Sequence, residues 1–427
     1  MHDSEPRSPG EHLTALTRLL ESVGASPRSE SLALGRAYGR ILANSVIASE
    51  DSPRFDNSQM DGYALSAEAN RSEDRTFVAG PVLPAGTDPA RDYPRGLDRA
   101  DLVCPIMTGS KLPEGTAAVV PVEKCNPPEF VAAGEHLQVP TVPNGQFLRM
   151  AGSDLIRGET LAPAGKPLSA QAIGVLASQG IATVEVWARP RVLICTGGEE
   201  VSADATVPLD NAQIPDANGP MLEALCQEHG LEIADKIVTG DDADQLRTRL
   251  EEAAQRVQPD LIVTSGGISH GKFEVVRQVL EAEAHAWFGH VAQQPGGPQG
   301  YATLSGVPVV ALPGNPVSTL VSFRLFVAPL AARMWEAALE RHPVTALVSQ
   351  ELRGIPGKTQ FRRGRLKARG DATFWVQAVG GSGSHLLAQS VASNCLIEVP
   401  PEADLPRGSA VQVHPLTTAL EHLEENS

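Results

Sequence analysis

Three apolar runs of this sequence each end in a cluster of Gly, Ser or Pro residues, and such clusters can bind anions. The run DLIVTS leads into Ser265, Gly266 and Gly267, with Ser269 two positions on. Glycines let a ligand approach the backbone closely, and free amides at the start of a helix attract negative charge. Any strand-to-helix turn can hold a Gly pair, but this density of Gly and Ser favours phosphate binding.

A second turn of this kind follows the run VPVVAL. It contains Pro313, Gly314, Asn315 and Pro316. Asn is a preferred helix N-cap and Pro a preferred first helical residue, so the sequence predicts a helix that starts here. Taken alone, the turn indicates a well-capped helix; beside the first turn, it is predicted to form a second wall of the same crevice.

Acidic residues occur where they could hold a metal ion or position water. Glu199 and Glu200 follow the run RVLICTGG, and Asp56 and Asp61 lie five residues apart in DSPRFDNSQMDGY. A carboxylate at the carboxyl end of a strand can hold a hydrated Mg²⁺, and paired acids can act on water. Glutamates in loops are more often only solvated, and Asp often caps its own loop. Residue types alone leave both readings open.

Two further segments carry candidate anion-binding groups. Thr108 lies in IMTGSKLPEG, which is either a small anion nest or an ordinary β-turn. The segment GKTQFRRGR supplies Lys358, Arg362, Arg363 and Arg365. Such a basic run is usually a solvated strand face, but in an acidic protein a specific anion role gains weight.

The elements that must position these residues change along the chain. Apolar residues at helical spacing predict helices between about 12 and 45, and short apolar runs predict a small barrel-type β domain between about 75 and 145. Strands alternate with helices between about 188 and 338, which predicts a parallel sheet covered on both faces. Ligands of such sheets bind at the carboxyl ends of the strands. Strand-like segments after about 343 predict a second β domain.

Composition excludes several functions. A chain of 427 residues predicts two to four domains. A net charge of -16 argues against nucleic-acid binding, because the average surface repels a polyanion. The five cysteines are scattered without a CxxC pair, so neither a zinc knuckle nor a disulfide framework is expected. No secretory signal and no membrane span are predicted, which favours a cytoplasmic location.

Five motifs, taken in order, carry a resemblance to a known family. FDNSQMDGYAL, IMTGSKLPEGTAAVV, SGGISHG, LPGNPVS and GKTQFRR resemble motifs of the MoeA family of molybdopterin molybdenumtransferases, to which the E domain of gephyrin is similar. The resemblance runs from about residue 12 to about residue 415. It implies a multidomain fold of α/β and β parts. The implied domains are a helical and linker domain (1–50 and 146–187), an inserted β domain (51–145), a MogA-like α/β domain with a parallel-rich sheet (188–338) and a C-terminal β-barrel-like domain (343–418).

The resemblance also implies a function. It indicates a cytoplasmic homodimer that transfers molybdate to adenylylated molybdopterin and releases AMP in a Mg²⁺-dependent reaction. Each cleft is expected to lie between the α/β domain of one subunit and the inserted domain of the other. Other cofactor-assembly proteins and recipient molybdoenzymes are possible partners.

Matching motifs assign roles to particular residues. The expected catalytic residues are Asp61, Thr108, Asp154, Glu199 and Asp242. The expected substrate-binding residues are Ser265, Gly266, Gly267, Ser269, Pro313, Gly314, Asn315, Pro316, Arg362, Arg363 and Ser382. The expected metal ligands are Glu199, Asp241, Asp242 and Glu274.

Some positions depart from the family pattern. Gly198 replaces an acid of TGDEL, Glu274 replaces the Asp that follows SGGVSVG, and QPGGP replaces KPGKP, with Gln294 and Gly297 in place of two lysines. A catalytically impaired paralogue that acts as a scaffold or regulator of cofactor assembly is therefore the first alternative. A MogA-type adenylyltransferase is the second, disfavoured because such proteins lack the two β domains.

Overall fold

The structure is a computed structural model that describes residues 5–73, 75–198, 200–202, 208–240, 242–268, 274–370, 372–417 and the backbone of 421–422. The chain divides into two compact units. One comprises residues 1–43 with 184–427, and the other comprises residues 44–183.

The N-terminal segment begins with helix α1 (Pro9–Ser22), as the apolar spacing predicts. Ser8 caps this helix in a reciprocal capping box with Glu11. The predicted helical continuation toward residue 45 is wrong. The chain instead forms strand β1 (Ser29–Ala33), along which exposed and half-buried residues alternate, and later strand β2 (Val46–Ile47). Gly39 has a φ of +72°, a backbone conformation that ends any regular helix.

The unit of residues 44–183 is built on a five-stranded sheet with two small buried cores. Its sheet follows the order β7-β4-β6-β5-β8, and among the described residues it does not close into the barrel that its short apolar runs predict. Tyr63 and Phe77 belong to one core, and Leu83 and Ile106 belong to the other. The elements after β2 are β3 (Asn57–Ser58), β4 (Gly62–Ser66), α2 (Ala67–Arg71), β5 (Thr76–Ala79), β6 (Leu102–Ile106), β7 (Thr116–Pro121), β8 (His136–Gln138), β9 (Leu148–Arg149), β10 (Thr160–Ala162) and α3 (Ala170–Ser178).

The unit that comprises residues 1–43 with 184–427 contains the predicted α/β layer. Its six-stranded sheet has the order β15-β12-β16-β20-β19-β17. The first four of these strands are parallel, whereas β19 runs antiparallel to both β20 and β17. The elements are β11 (Thr183–Trp187), β12 (Arg191–Gly197), β13 (Val201–Ser202), β14 (Ile214–Pro215), α4 (Asn218–Glu228), β15 (Glu232–Thr239), α5 (Ala243–Val257), β16 (Leu261–Ser265), α6 (Val275–Leu280), β17 (Trp287–His290), β18 (Gln293–Gln294), β19 (Pro298–Leu304), β20 (Val307–Leu312), α7 (Pro316–Ser322) and α8 (Ala328–Trp335).

Helices cover both faces of this sheet. Side chains of a strand alternate between the two faces, so each buried strand contributes to a core on either side. Val192 and Ile194 of β12 face a core that includes residues of α1, α4 and α8. Leu193 and Cys195 of the same strand face a second core with residues of α5 and α6. The near-continuous apolar runs seen in the sequence are therefore strands buried on both sides.

The C-terminal region is a closed five-stranded barrel. Strand β23 pairs with both β24 and β25, and the ring closes through β21 and β27. The elements are β21 (Val344–Val348), β22 (Leu352–Arg353), β23 (Thr359–Ala368), β24 (Phe374–Ala378), β25 (Cys395–Val399), β26 (Asp404–Leu405), β27 (Ala410–Pro415) and β28 (Glu421–His422). The barrel has its own apolar core, and the predicted C-terminal β-barrel-like domain is confirmed.

One helix among the described residues is long and apolar enough to cross a membrane. It covers Pro316–Trp335, has a mean hydropathy of 1.3, and comprises α7, a π-helical turn and α8. Val321, Phe326 and Leu330 are fully buried in it. Length and composition alone are weak support for a membrane span, and this burial is typical of a core helix.

Candidate functional site

The four parallel strands end at one edge of the sheet, where a cavity of about 880 Å³ opens. Their register places Thr196 opposite Ser265 and Ser265 opposite Leu312, while Gly197 lies opposite Thr239. The three turns that the sequence singles out therefore leave the sheet side by side. This is the edge at which open α/β sheets bind their ligands.

Close contact between two turns forms the floor of the cavity. Gly266 and Gly267 have φ values of +100° and +66°, which other residues rarely adopt. A Cβ atom on Gly266 would lie 3.0 Å from the carbonyl oxygen of Gly197, and one on Gly314 would lie 3.1 Å from the Cα of Gly266. Glycine is thus required for the backbones of both predicted turns to meet at the cavity.

A buried pair of hydroxyls ties the same two turns together. The Ser265 hydroxyl donates to the Pro313 carbonyl oxygen at 3.1 Å and lies 3.0 Å from the Thr319 hydroxyl. Thr319 itself donates to the Pro313 oxygen at 2.7 Å. Ser265 lines the cavity as predicted, but its hydroxyl holds the turn in shape.

The second predicted turn leads into α7. Asn315 occupies the N-cap position with an extended backbone, and Pro316 is the first helical residue. The Asn315 side chain makes no capping bond to the helix. All four predicted residues of this turn, Pro313, Gly314, Asn315 and Pro316, line the cavity.

Sequence reasoning missed two polar residues beside the turns. The Asp216 carboxylate accepts the Thr196 hydroxyl at 2.8 Å and the backbone N–H groups of Asn218 and Gly219 at 2.9 Å, so it caps α4. The Asn218 side-chain nitrogen donates to the Gly314 carbonyl oxygen at 2.7 Å. The segment PDANGP directly before an amphipathic helix is a capping signal that could have revealed both residues.

The QPGGP segment forms another wall. Gln294, Gly296 and Gly297 line the cavity, and the Val291 N–H closes the segment by donating to the Gly297 carbonyl oxygen at 2.8 Å. This places at the cavity the segment that departs most from the family pattern.

The barrel supplies the cavity with Lys358 and with Ser382, Ser384 and His385. Arg363 has a different place, because its buried guanidinium donates to the carbonyl oxygens of Gly381 and Leu386. Burial lowers the pKa of Arg363. Arg362 belongs to β23 and is not among the residues that line the cavity. Of the predicted C-terminal residues, the structure brings Lys358 and Ser382 to the cavity.

Acidic residues at the cavity are Glu200, Asp216 and Glu274. Asp242 instead caps α5, where its carboxylate accepts the Gln245 N–H at 2.9 Å. The predicted residues Glu199, Asp241 and Ser269 lie outside the described residues. Among the residues that the structure describes, no three His, Cys, Asp or Glu side chains cluster as a metal site would.

The predicted residues of the 44–183 unit fall into two places. The Asp61 carboxylate accepts the backbone N–H of Thr108 at 2.6 Å and its hydroxyl at 2.7 Å. These bonds lower the pKa of Asp61, because they favour the charged carboxylate. Asp154 accepts the Ser52 hydroxyl at 3.3 Å in another loop. The Asp56 carboxylate accepts the Ala151 N–H at 2.7 Å, which is turn chemistry.

Comparisons with protein families match three consecutive regions of the chain. Residues 10–180 match the MoeA N-terminal region (domain I and II), and residues 345–416 match the MoeA C-terminal region (domain IV). Residues 192–333 match a region described as "Probable molybdopterin binding domain". The fold and the cavity therefore belong to a MoeA-like multidomain protein with a MogA-like α/β layer.

Curated relatives and solved structures agree with this class. Molybdopterin molybdenumtransferase 2 of Mycobacterium tuberculosis is 34% identical over 426 residues, covering 96% of this chain and 100% of that protein. Molybdopterin molybdenumtransferase of Haemophilus influenzae is 31% identical, covering 95% and 98%. The structure of the molybdopterin biosynthesis moea protein from Pyrococcus horikosii has a TM-score of 0.77 and 27% identity, covering 95% and 99%. The chain belongs to the MoeA family of molybdopterin molybdenumtransferases, and it is a transferase of molybdenum-cofactor biosynthesis.

Proposed function

We propose that the protein is a molybdenum insertase, which transfers molybdate to adenylylated molybdopterin and releases AMP. The observation that carries this proposal is the cavity at the carboxyl edge of the sheet. Glycine residues of the strand-end turns and Lys358 line this cavity. Backbone amides and one cation can bind phosphate oxygens in a protein whose net charge is -16.

Different walls of the cavity are proposed to bind different parts of the substrate. Gly266, Gly267 and Ser269 are the proposed pyrophosphate-binding residues. Pro313, Gly314, Asn315 and Pro316 form the adjoining wall at the start of α7. Ser382 contacts the ligand from the barrel side, while Arg362 and Arg363 support that side through β23. Preorganised donors of this kind stabilise charge that develops on the departing phosphate.

A divalent cation is proposed to bind at this cavity. Mg²⁺ in proteins is commonly held by one or two carboxylates, with substrate phosphates and water completing its shell. Glu274 offers a carboxylate at the cavity. Glu199, Asp241 and Asp242 are the other proposed ligands. When bound, Mg²⁺ would neutralise phosphate charge and favour departure of AMP.

The remaining catalytic residues come from the 44–183 unit. Asp61, held ionised by Thr108, provides a carboxylate of fixed orientation. Asp154 provides a second acid from a neighbouring loop of the same unit. We propose a homodimer in the cytoplasm, in which this unit of one subunit serves the cavity of the other. Recipient molybdoenzymes and other assembly proteins are its proposed partners.

The experiment is AMP release from adenylylated molybdopterin, with molybdate and Mg²⁺ each present or omitted. An insertase releases AMP only when both are present. Asp61→Asn should abolish release, whereas Asp88→Asn, an exposed acid of the same unit, should not. Release that ignores molybdate would contradict the proposal.

Two outcomes point to the alternatives. The family pattern has an acid at the position of Gly198 and lysines at the positions of Gln294 and Gly297. These departures favour a scaffold or regulator. Tight pterin binding without AMP release would establish that function. Consumption of ATP would instead indicate a MogA-type adenylyltransferase.

A further inference from the structure

The carboxamide of Gln294 has a fixed orientation at the cavity. Residues Gln293–Gln294 form β18, which pairs in parallel with β23 so that Gln294 lies opposite Gln360. The side-chain nitrogen of Gln360, a buried residue, donates to the Gln294 Oε1 at 2.5 Å. The oxygen of the Gln294 carboxamide is therefore occupied, and its Nε2 has no partner among the described residues. Gln294 lines the cavity, so this N–H₂ group is the end available to a ligand.

The backbone that carries Gln294 is held on both edges. On one edge, the Arg7 N–H donates to the His290 carbonyl oxygen at 3.1 Å, and the Arg7 carbonyl oxygen accepts the Ala292 N–H at 2.7 Å. On the other edge, the Thr359 N–H donates to the Ala292 carbonyl oxygen at 2.9 Å. The backbone of residues 290–292, directly before Gln293–Gln294, is thus hydrogen-bonded on both edges.

A side chain secures the outer edge of this arrangement. The Arg7 guanidinium lies 4.0 Å from the centre of the Trp287 ring and donates to the Tyr301 hydroxyl at 3.1 Å. The Gln294 carboxamide, on a backbone held in this way, loses little conformational freedom when it binds a ligand. This strengthens the hydrogen bond that it donates.

Charge makes a neutral donor significant at this cavity. Among the described residues, Lys358 is the single Lys or Arg that lines it, against the carboxylates of Glu200, Asp216 and Glu274. Coulombic attraction therefore contributes little to holding an oxyanion here. Hydrogen bonds from fixed donors have to supply the recognition.

We propose that Gln294 is a specificity-determining residue that donates a hydrogen bond to an oxyanion oxygen of the ligand, with Gln360 and Arg7 as its positioning residues. This inference rests on the proposed function, because molybdate and the phosphate of AMP are the oxyanions concerned. Both ligands offer the same acceptor chemistry.

The test is calorimetric titration of the full-length protein with molybdate and, separately, with AMP, at several salt concentrations. Gln294→Met keeps the length of the side chain and removes the donor. Loss of a hydrogen bond to a charged acceptor is expected to weaken binding about ten- to a hundredfold. Because the donor is neutral, the dependence of affinity on salt should not change. Lys358→Ala should flatten that dependence instead.

Other variants separate the donor from general structural damage. Gln377→Met, at an exposed position of the barrel, is the matched control and should bind like wild type. Gln294→Glu retains the Gln360 bond and lacks the donor, so it should also bind weakly. Gln294→Lys should bind more tightly and with a steeper salt dependence. Gln360→Met should lose part of the affinity by releasing the carboxamide.

The outcomes distinguish this inference from the proposed function. A loss confined to molybdate or confined to AMP supports the inference and identifies which oxyanion Gln294 contacts. Wild-type affinity of Gln294→Met and Gln294→Glu for both ligands overturns it and leaves the proposed function standing. Failure of the wild-type protein to bind either ligand overturns both.

Discussion

Replacement of the buried residue His12 by Leu should remove one component of the acid sensitivity of folding. His12 lies on α1 with no exposed surface and contacts the rings of Phe326 and Trp287, at centroid distances of 4.7 and 5.1 Å. Both of its ring nitrogens are buried without a hydrogen-bond partner among the described residues. Burial lowers the pKa of His12 to about 3, and the nearby Arg7 charge acts in the same direction.

The size of the effect follows from the two pKa values. In the unfolded chain His12 takes up its proton near pH 6.5, but in the folded protein near pH 3. The contribution of neutral His12 to the free energy of unfolding is therefore fully present above pH 6.5, and it is lost as the pH decreases toward 3. At about pH 5 the linkage relation gives a loss of about 2 kcal/mol from this residue. The Leu variant lacks this loss, and at about pH 8 it should be about 1 kcal/mol more stable because the unpaired polar atoms are gone.

The assay is urea unfolding at about pH 8 and about pH 5, followed by tryptophan fluorescence. All four tryptophans lie in the unit that contains His12, and Trp287 contacts it. His136→Leu, an exposed histidine of the other unit, serves as the control. A His12→Leu variant that loses as much stability between the two pH values as wild type would refute the reasoning.

Three further variants test other parts of the structure. Thr319→Val removes the hydroxyl that donates to the Pro313 carbonyl oxygen. It should lower the free energy of unfolding by about 1–3 kcal/mol, measured by denaturant titration. It should also weaken AMP binding, measured by calorimetry. Lys358→Ala should weaken AMP binding at low salt. It should not change the midpoint of thermal unfolding, because Lys358 forms no ion pair within the described residues. A lower midpoint would count against this role. Gly62→Ala should disrupt the five-stranded sheet, since its Cβ would overlap the Val120 carbonyl oxygen, and faster proteolysis of this unit is the expected readout.

Several elements could be predicted because local patterns determine them. The runs RVLICT, DLIVTS and VPVVALP are buried strands, and Asn315 with Pro316 starts a helix, because turn and cap chemistry depends on neighbouring residues. The segment 29–47 misled the same reasoning. Its apolar spacing fits a helix, but its first five residues form β1, which pairs with the distant β11.

The sequence by itself determined the kind of site: glycine turns after buried strands, which expose amides to an anion. Only the tertiary structure decided which side chains reach the cavity. Arg363, in a basic run, donates to the carbonyl oxygens of Gly381 and Leu386. Gln294, whose type suggests no anion site, lines the cavity, and its side-chain N–H₂ group has no partner among the described residues. The physical reason is that a polar group must first satisfy its buried neighbours, and those neighbours come from distant parts of the chain.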